Sequence, residues 1–318
     1  MDSRRRVGWR LVLLLFLIGP LLALVFPALP VRGAEFVLFQ LRIPRLLGGI
    51  LVGGTLGLSG AVTQAVFHNP LATPSTTGSI AGATLGALMA LVFGAGGTVL
   101  GFSVLVLAAF AGALLTSGIV TAAAINGRAR TEDVLLVGIA VTLAASAVAT
   151  AIQDMGKDSA VVVAARWSLG YLGQVGYARI ALAAPLLLVS WVLSLSLIRP
   201  LQTLALGEET AHARGVHVVA VRTLSLGAAA LGVAIAVAWC GPIGFIGLIV
   251  PQLVRLAFGG AIRSLLPLSL AAGAGLLVLC DALGRLVVPG RELPVGVVTA
   301  LVGAPALAGL VASRRPGP

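Results

Sequence analysis

The 318-residue chain is 59% hydrophobic and only 10% charged, with a mean hydropathy of +1.10, so it has too few polar side chains to cover a water-soluble globule of its size. Its formal charge of +11 would suit a nucleic-acid binder, but the basic residues fall between apolar runs and form no basic face with interleaved aromatics, which argues against nucleic acid as a partner. Aromatics are 5% and glycines number 41, the composition of a lipid-solvated helical bundle whose helices approach closely through small residues.

A helix crossing the ~30 Å hydrocarbon core needs ~20 apolar residues, fewer where it packs within protein. Ten segments are predicted on that measure: 11–29, 46–66, 78–93, 99–124, 134–152, 180–198, 223–240, 242–258, 265–283 and 293–312. The first follows Arg4, Arg5, Arg6 and Arg10. It is too long for the apolar core of a signal peptide and has no small-x-small cleavage site after it, so it reads as an uncleaved span. No Asp, Glu, Lys or Arg occurs between Arg45 and Arg128, so three spans fit there and the two arginines face opposite sides. Asn69-Pro70, Thr73-Pro74 and the glycines from Gly94 to Gly97 mark the breaks. With both termini cytoplasmic, thirteen of the 21 basic residues collect inside and eight outside, among the latter Arg42, Arg45 and Arg285.

Several chemistries are missing. A phosphate-cradling loop needs G-x-x-x-x-G-K-[ST]. The single lysine, Lys157, follows Gly156 but has Ala151 where the first glycine belongs and Asp158 where Ser or Thr belongs, so ATP is not bound here by a P-loop. Ion-coupled carriers place titratable groups in mid-helix. Here Asp281 is the one acid inside a predicted span, and Arg285 one turn on reads as its ion-pair partner, which leaves an ion-coupled secondary transporter as the minor alternative. The histidines His68, His212 and His217 are scattered, and Cys240 and Cys280 sit in apolar runs as small hydrophobes. No metal site, disulfide or cofactor is expected.

From Arg199 to Arg222 the chain turns polar. Gly207 followed by Glu208, Glu209 and Ala211 reads as the start of a short helix with acids in its first turn, and Gly215 as its stop. The small residues Ala211, Ala213 and Gly215 beside acids suit close docking of a partner at the inner face. A merely polar loop between spans is the plainer reading of the same residues.

Several motifs in fixed order resemble one family. Arg42-Ile43-Pro44-Arg45 is similar to R-[LIV]-P-R, and Phe67-His68-Asn69-Pro70-Leu71-Ala72-Thr73-Pro74 to F-x-N-P-L-A-x-P. Leu206-Gly207-Glu208-Glu209-Thr210-Ala211 with Gly215-Val216 resembles L-G-x-x-x-A…L-G-[LIV], and the run from Gly241 to Pro251 resembles G-x-I-G-F-[IV]-G-L-[IV]-[IV]-P. Asp281 with Arg285, Glu292-Leu293-Pro294-Val295-Gly296 and Gly303-Ala304-Pro305 complete the set. Together they look like the FecCD-type permeases of iron-siderophore, haem and cobalamin ABC importers, from about Leu41 to the last span.

The resemblance implies an all-α polytopic membrane protein of the type II ABC importer permease class, with about ten transmembrane helices and residues 1–318 forming a single permease domain. It implies residence in the bacterial cytoplasmic membrane, separate ABC ATPase subunits inside, an extracytoplasmic solute-binding protein outside, and a second permease that is a copy or a paralogue. The expected cargo is an iron-siderophore or related metal chelate, with cobalamin or haem as the alternative.

By the same resemblance, Arg42, Arg45 and Arg285 dock the binding protein, although simple anchoring of helix ends stays open for them. Leu206, Gly207, Glu208, Glu209, Ala211, Gly215 and Val216 couple to the ATPase. Asn69 and Leu71, with Thr131 and Glu132, form a cytoplasmic gate. Three residues depart from the family pattern: His68 where Arg or Glu is common, Gln252 where His often follows the proline, and Glu132 at a gate position that is often small and polar.

Overall fold

The computed structural model describes residues 34–93, 97–99, 102–125, 131–156, 158–173, 176–287 and 291–312. The predicted first span lies outside the described residues. The chain then runs through α1 (Ala34–Val66), α2 (Ser79–Val92), α3 (Val104–Ile125), α4 (Thr131–Met155), α5 (Asp158–Ser168) and α6 (Tyr177–Ser196). It continues through α7 (Ile198–Leu204), α8 (Glu208–Ala213), α9 (Val218–Cys240), α10 (Ile246–Phe258), α11 (Ile262–Leu286) and α12 (Val295–Ala312). Among the described residues six helices are long and apolar enough to cross a membrane, in α1, α3, α4, α6, α9 and α11, and α2, α10 and α12 are shorter apolar helices.

Each predicted segment after the first overlaps one of these helices, and α1 runs past one of the predicted ends and α4 and α11 past both. Segment 99–124 opens as a small hairpin, Thr98–Val99 pairing antiparallel with Phe102–Ser103, so α3 starts at Val104. Segment 242–258 opens on irregular backbone because Gly241 and Phe245 take φ of 74° and 68°, which no helix accommodates, and α10 starts at Ile246. The 11-residue α5 was not expected from the sequence, being too short to register as a span.

Small residues set how the helices meet. α1 and α11 pack along much of their lengths, and a Cβ on Gly53 or Gly57 would fall onto the carbonyl oxygens of Gly273 and Ser269. α2 and α3 meet in the same way, Gly82 against the Gly112 carbonyl and Gly86 against the Ala108 carbonyl. Bare backbone at these positions lets the axes approach far enough for dispersion contacts to hold helices together in lipid, where no hydrophobic drive between helices exists. α9 and α10 also lie on α1, which makes it the central helix. The exposed leucines and valines of α3, α4 and α6, such as Leu115, Leu136, Leu143 and Val192, form an outer apolar surface suited to acyl chains.

Candidate functional site

The polar side chains gather at two levels of α1, around Arg45 and around Gln64, which define an Arg45 end and a Gln64 end of the bundle. Arg45 and Gln64 are nineteen residues apart on that helix, ~28 Å along its axis and close to the hydrocarbon thickness.

At the Arg45 end, the guanidinium donates from Nε to both oxygens of Asp281 on α11 (3.0 and 2.9 Å), and from Nη2 to Asp281 Oδ1 (2.8 Å). Its Nη1 donates to Glu292 Oε2 at 2.8 Å, Tyr171 donates its phenolic proton to the same Glu292 oxygen, and the Tyr171 ring lies 5.6 Å from the guanidinium carbon. Arg285 reaches Asp281 Oδ2 at 3.6 Å, and Arg42, buried one helical turn before Arg45, is near enough for its charge to act on Arg285. The arginines predicted for docking therefore share one cluster. Arg45 nonetheless has only 11% of its side chain exposed, and all three of its nitrogens are engaged within the chain. Burial by itself would raise the Glu292 carboxyl, but the hydrogen bonds from Tyr171 and Arg45 outweigh that and hold it below its ordinary value. Burial first, then the bond to Glu292, pushes the Tyr171 phenol up.

Sequence spacing paired Asp281 with Arg285. The structure shows Arg45 as the closer partner and adds Tyr171 and Glu292, which sequence reasoning did not assign to the site. The available signal was Asp281 itself: a lone acid within a span needs a cation, and a fork able to grip it by two nitrogens holds it better than a neighbour on the same helix.

At the Gln64 end, the turn after α1 holds the predicted gate residues. The Asn69 side chain accepts from the Leu71 amide (2.9 Å) and the Asn69 carbonyl from the Ala72 amide (3.1 Å), a local turn that leaves Leu71 exposed. His68 sits just before it at φ 47°. The following one-turn helix, Pro74–Thr77, packs against α4, which Thr131 and Glu132 open; the side chains of those two lie outside the described parts. A cleft of about 220 Å³ opens between Leu56, Thr73, Ser75, Ile80, Val233 and Phe245.

The predicted coupling segment also belongs to this end. α9 runs from Val218 to Cys240, and the Cys240 carbonyl accepts from the Tyr171 amide (2.8 Å) at the Arg45 end, so the start of α9 and the preceding α8 lie opposite. Gly207 and Gly215, at φ 109° and 74°, bracket α8, conformations that a side chain would strain. Ala211 is fully buried against α7 and α9, while Leu206, Gly207, Glu208, Glu209 and Gly215 are exposed and Val216 is half-buried. Glu208 pairs with Arg222 on α9, and the Val216 amide donates to the Ala211 carbonyl at 2.9 Å. α8 is thus a small fixed protrusion whose exposed first turn carries Glu208 and Glu209.

Known proteins match this arrangement along its whole length. The family model of the FecCD transport family matches residues 11–313. The chain belongs to that family. It is 38% identical over 288 residues to the cobalamin import system permease protein of Halobacterium salinarum, covering 89% of this chain and 75% of that protein. It is 36% identical over 280 residues to the hemin transport system permease protein of Yersinia pestis, covering 87% and 83%. The vitamin B12 import system permease protein of Salmonella schwarzengrund is 38% identical over 317 residues, covering 96% and 94%. Among solved structures, an inward-facing transporter described as of the metal-chelate ABC type superposes with a TM-score of 0.85 at 28% identity, covering 97% of this chain and 99% of that one.

The FecCD-family chain is accordingly a multi-pass permease subunit of an ABC importer in the cytoplasmic membrane, a transport component and not an enzyme. Such a subunit works with separate ATPase subunits and a binding protein. Among the described residues no three His, Cys, Asp or Glu side chains group as a metal site, and Cys240 and Cys280 are buried and free.

Proposed function

We propose that this permease passes a metal chelate from an extracytoplasmic solute-binding protein to the cytosol, with the Arg45 end outside, the Gln64 end inside, and both termini cytoplasmic. The observation that carries the reading is the exposed, glycine-bracketed α8 at the end opposite the arginine cluster. One end would offer net positive charge to an acidic partner, and the other a glycine-bracketed protrusion to a motor. The arginine cluster would steer the loaded binding protein by charge. Movement of the ATPase subunits against Leu206, Gly207, Glu208, Glu209, Ala211, Gly215 and Val216 would shift the bundle between two discrete conformations. The turn at Asn69 and Leu71, with Thr131 and Glu132 at the head of α4, would close the inner side.

The cleft of about 220 Å³ described above is smaller than the ~300–1,000 Å³ usual for small-molecule sites, too small by itself for a metal chelate. The path would then lie between this chain and a second permease, a copy or a paralogue.

The sequence led to a ferric siderophore as cargo, whereas the named relatives carry cobalamin and hemin. Tetrapyrrole-type chelates are therefore a second reading with equal support. ATP-driven uptake by vesicles holding the complete importer, measured across ferric siderophores, haem and cobalamin, decides between them. Transport of none of these, or uptake by this chain alone on an ion gradient, would overturn the proposal. Gly207→Ala with Glu208→Ala is expected to leave ATP hydrolysis running while uptake stops.

A further inference from the structure

The Gln64 end contains a buried network that neither the docking nor the coupling reading uses. Gln64 is 1% exposed and Gln252, on α10, is 3% exposed, so their carboxamides have almost no water to bond. Gln64 Nε2 donates to the carbonyls of Leu248 (3.2 Å) and Gly247 (3.4 Å). Its Oε1 accepts from Gln252 Nε2 at 3.2 Å and from Arg255 Nη1. A carboxamide offers two N–H donors and two acceptor lone pairs, so Gln64 is saturated.

The Gly247 carbonyl needs a partner for a local reason. Pro251 stands four residues on inside α10 and has no N–H to return to it, and the Gln64 amide supplies one. The approach is close because Gly60 carries no side chain: a Cβ there would fall onto the same Gly247 carbonyl. The last turns of α1 and the first turns of α10 are thus locked in register.

Gln252 extends the lock. Besides Gln64, its Nε2 donates to the carbonyl of Pro70, the central residue of the Asn69–Leu71 turn. One amide nitrogen therefore joins α1, α10 and the turn. The turn's own bonds are local, within residues 69–72, and fix its shape, while the buried Phe67 and Ala72 seat its flanks and leave the polar tie to α10 to Gln252.

We propose that Gln252 is the positioning residue of the inner gate: its carboxamide fastens the Asn69–Leu71 turn to α10 so that the turn follows α10 as the transporter changes state. The proposal rests on the reading of Asn69 and Leu71 as that gate. A donor at position 252 is what the role demands. Gln252→His keeps one through its ring N–H, whereas Gln252→Leu and the isosteric Gln252→Glu remove both amide donors.

The test uses Leu71→Cys in the reconstituted importer with its ATPase subunits. Leu71 is 54% exposed, and the native Cys240 and Cys280 are buried and silent. Labelling by a membrane-impermeant maleimide is followed with and without a non-hydrolysable ATP analogue. With Gln252 intact the labelling rate is expected to change at least ~10-fold between the two conditions, the scale of ~1.4 kcal/mol. Gln252→Leu and Gln252→Glu should each reduce that ratio to within ~2-fold of unity, and Gln252→His should restore it. The same nucleotide-dependent ratio in all four proteins would overturn the role of Gln252 and leave the gate standing. A ratio near unity with Gln252 intact would instead sink the gate reading itself. Should Gln252→Leu fail to assemble, Gln252→Glu carries the test, since it keeps the side chain's shape.

Discussion

Around Arg45 α1 meets full charges, and near its last turn it meets amides. Arg45, Asp281, Arg285 and Glu292 form ion pairs that a change of partner or of pH can redistribute. Gln64 and Gln252 form a network held by carboxamides and backbone carbonyls, with Arg255 at its edge. With Arg42, three guanidiniums against two carboxylates leave net positive charge, and on the proposed function that charge would draw an acidic partner out of solution. Short, directional amide bonds suit an end that must transmit a displacement without slack.

The largest effect expected from breaking the contrast is at the charged end. Asp281→Ala removes the acid that receives three hydrogen bonds from Arg45 and leaves two largely buried guanidiniums facing each other. A loss of ~3–5 kcal/mol is expected, read as a lowered thermal midpoint in detergent. Little change there would mean that Asp281 is dispensable to the cluster. At the amide end, Gly60→Val drives a side chain into the Gly247 carbonyl, for a loss of ~1–3 kcal/mol or failure to assemble. Gln64→Leu takes from the Gly247 carbonyl the amide donor that stands in for the one Pro251 lacks, and should cost ~1–3 kcal/mol in the same measurement.

Acidification separates the ends more finely. The Glu292 carboxyl is held below its ordinary value, so its contribution is complete above the unfolded carboxylate range and is lost as pH falls through the lower folded value. Thermal midpoints measured between pH 6 and the acid limit should fall in the native chain and fall less in Glu292→Gln. Equal slopes would show that Glu292 adds nothing. The smallest expected change is at the surface: Arg222→Ala removes the pair with exposed Glu208 and should shift stability by no more than ~1 kcal/mol, while the coupling of ATP hydrolysis to uptake suffers more.

The long helices were legible because each is a run of apolar residues of near-span length, and α8 because Gly207, the acids after it and Gly215 spell a start and a stop locally. α5 was not, being short. The onset of α10 was not, because Phe245 takes a left-handed backbone conformation that nothing in its side chain announces. At the charged end the sequence showed an acid in need of a cation and supplied the neighbour at helical spacing. The nearer cation, Arg45, stands 236 residues away and became a neighbour only when α1 packed against α11.

Composition, span lengths and motif order thus determined by themselves that the chain is a lipid-embedded permease of its family, since hydropathy and local turn chemistry depend on neighbours in sequence. Which side chains share an end of the bundle was decided by the tertiary structure alone. Glycine contacts bring α1, α10 and α11 together over separations of some two hundred residues, and only that packing places Arg45 on Asp281 and Gln252 on the turn at Pro70.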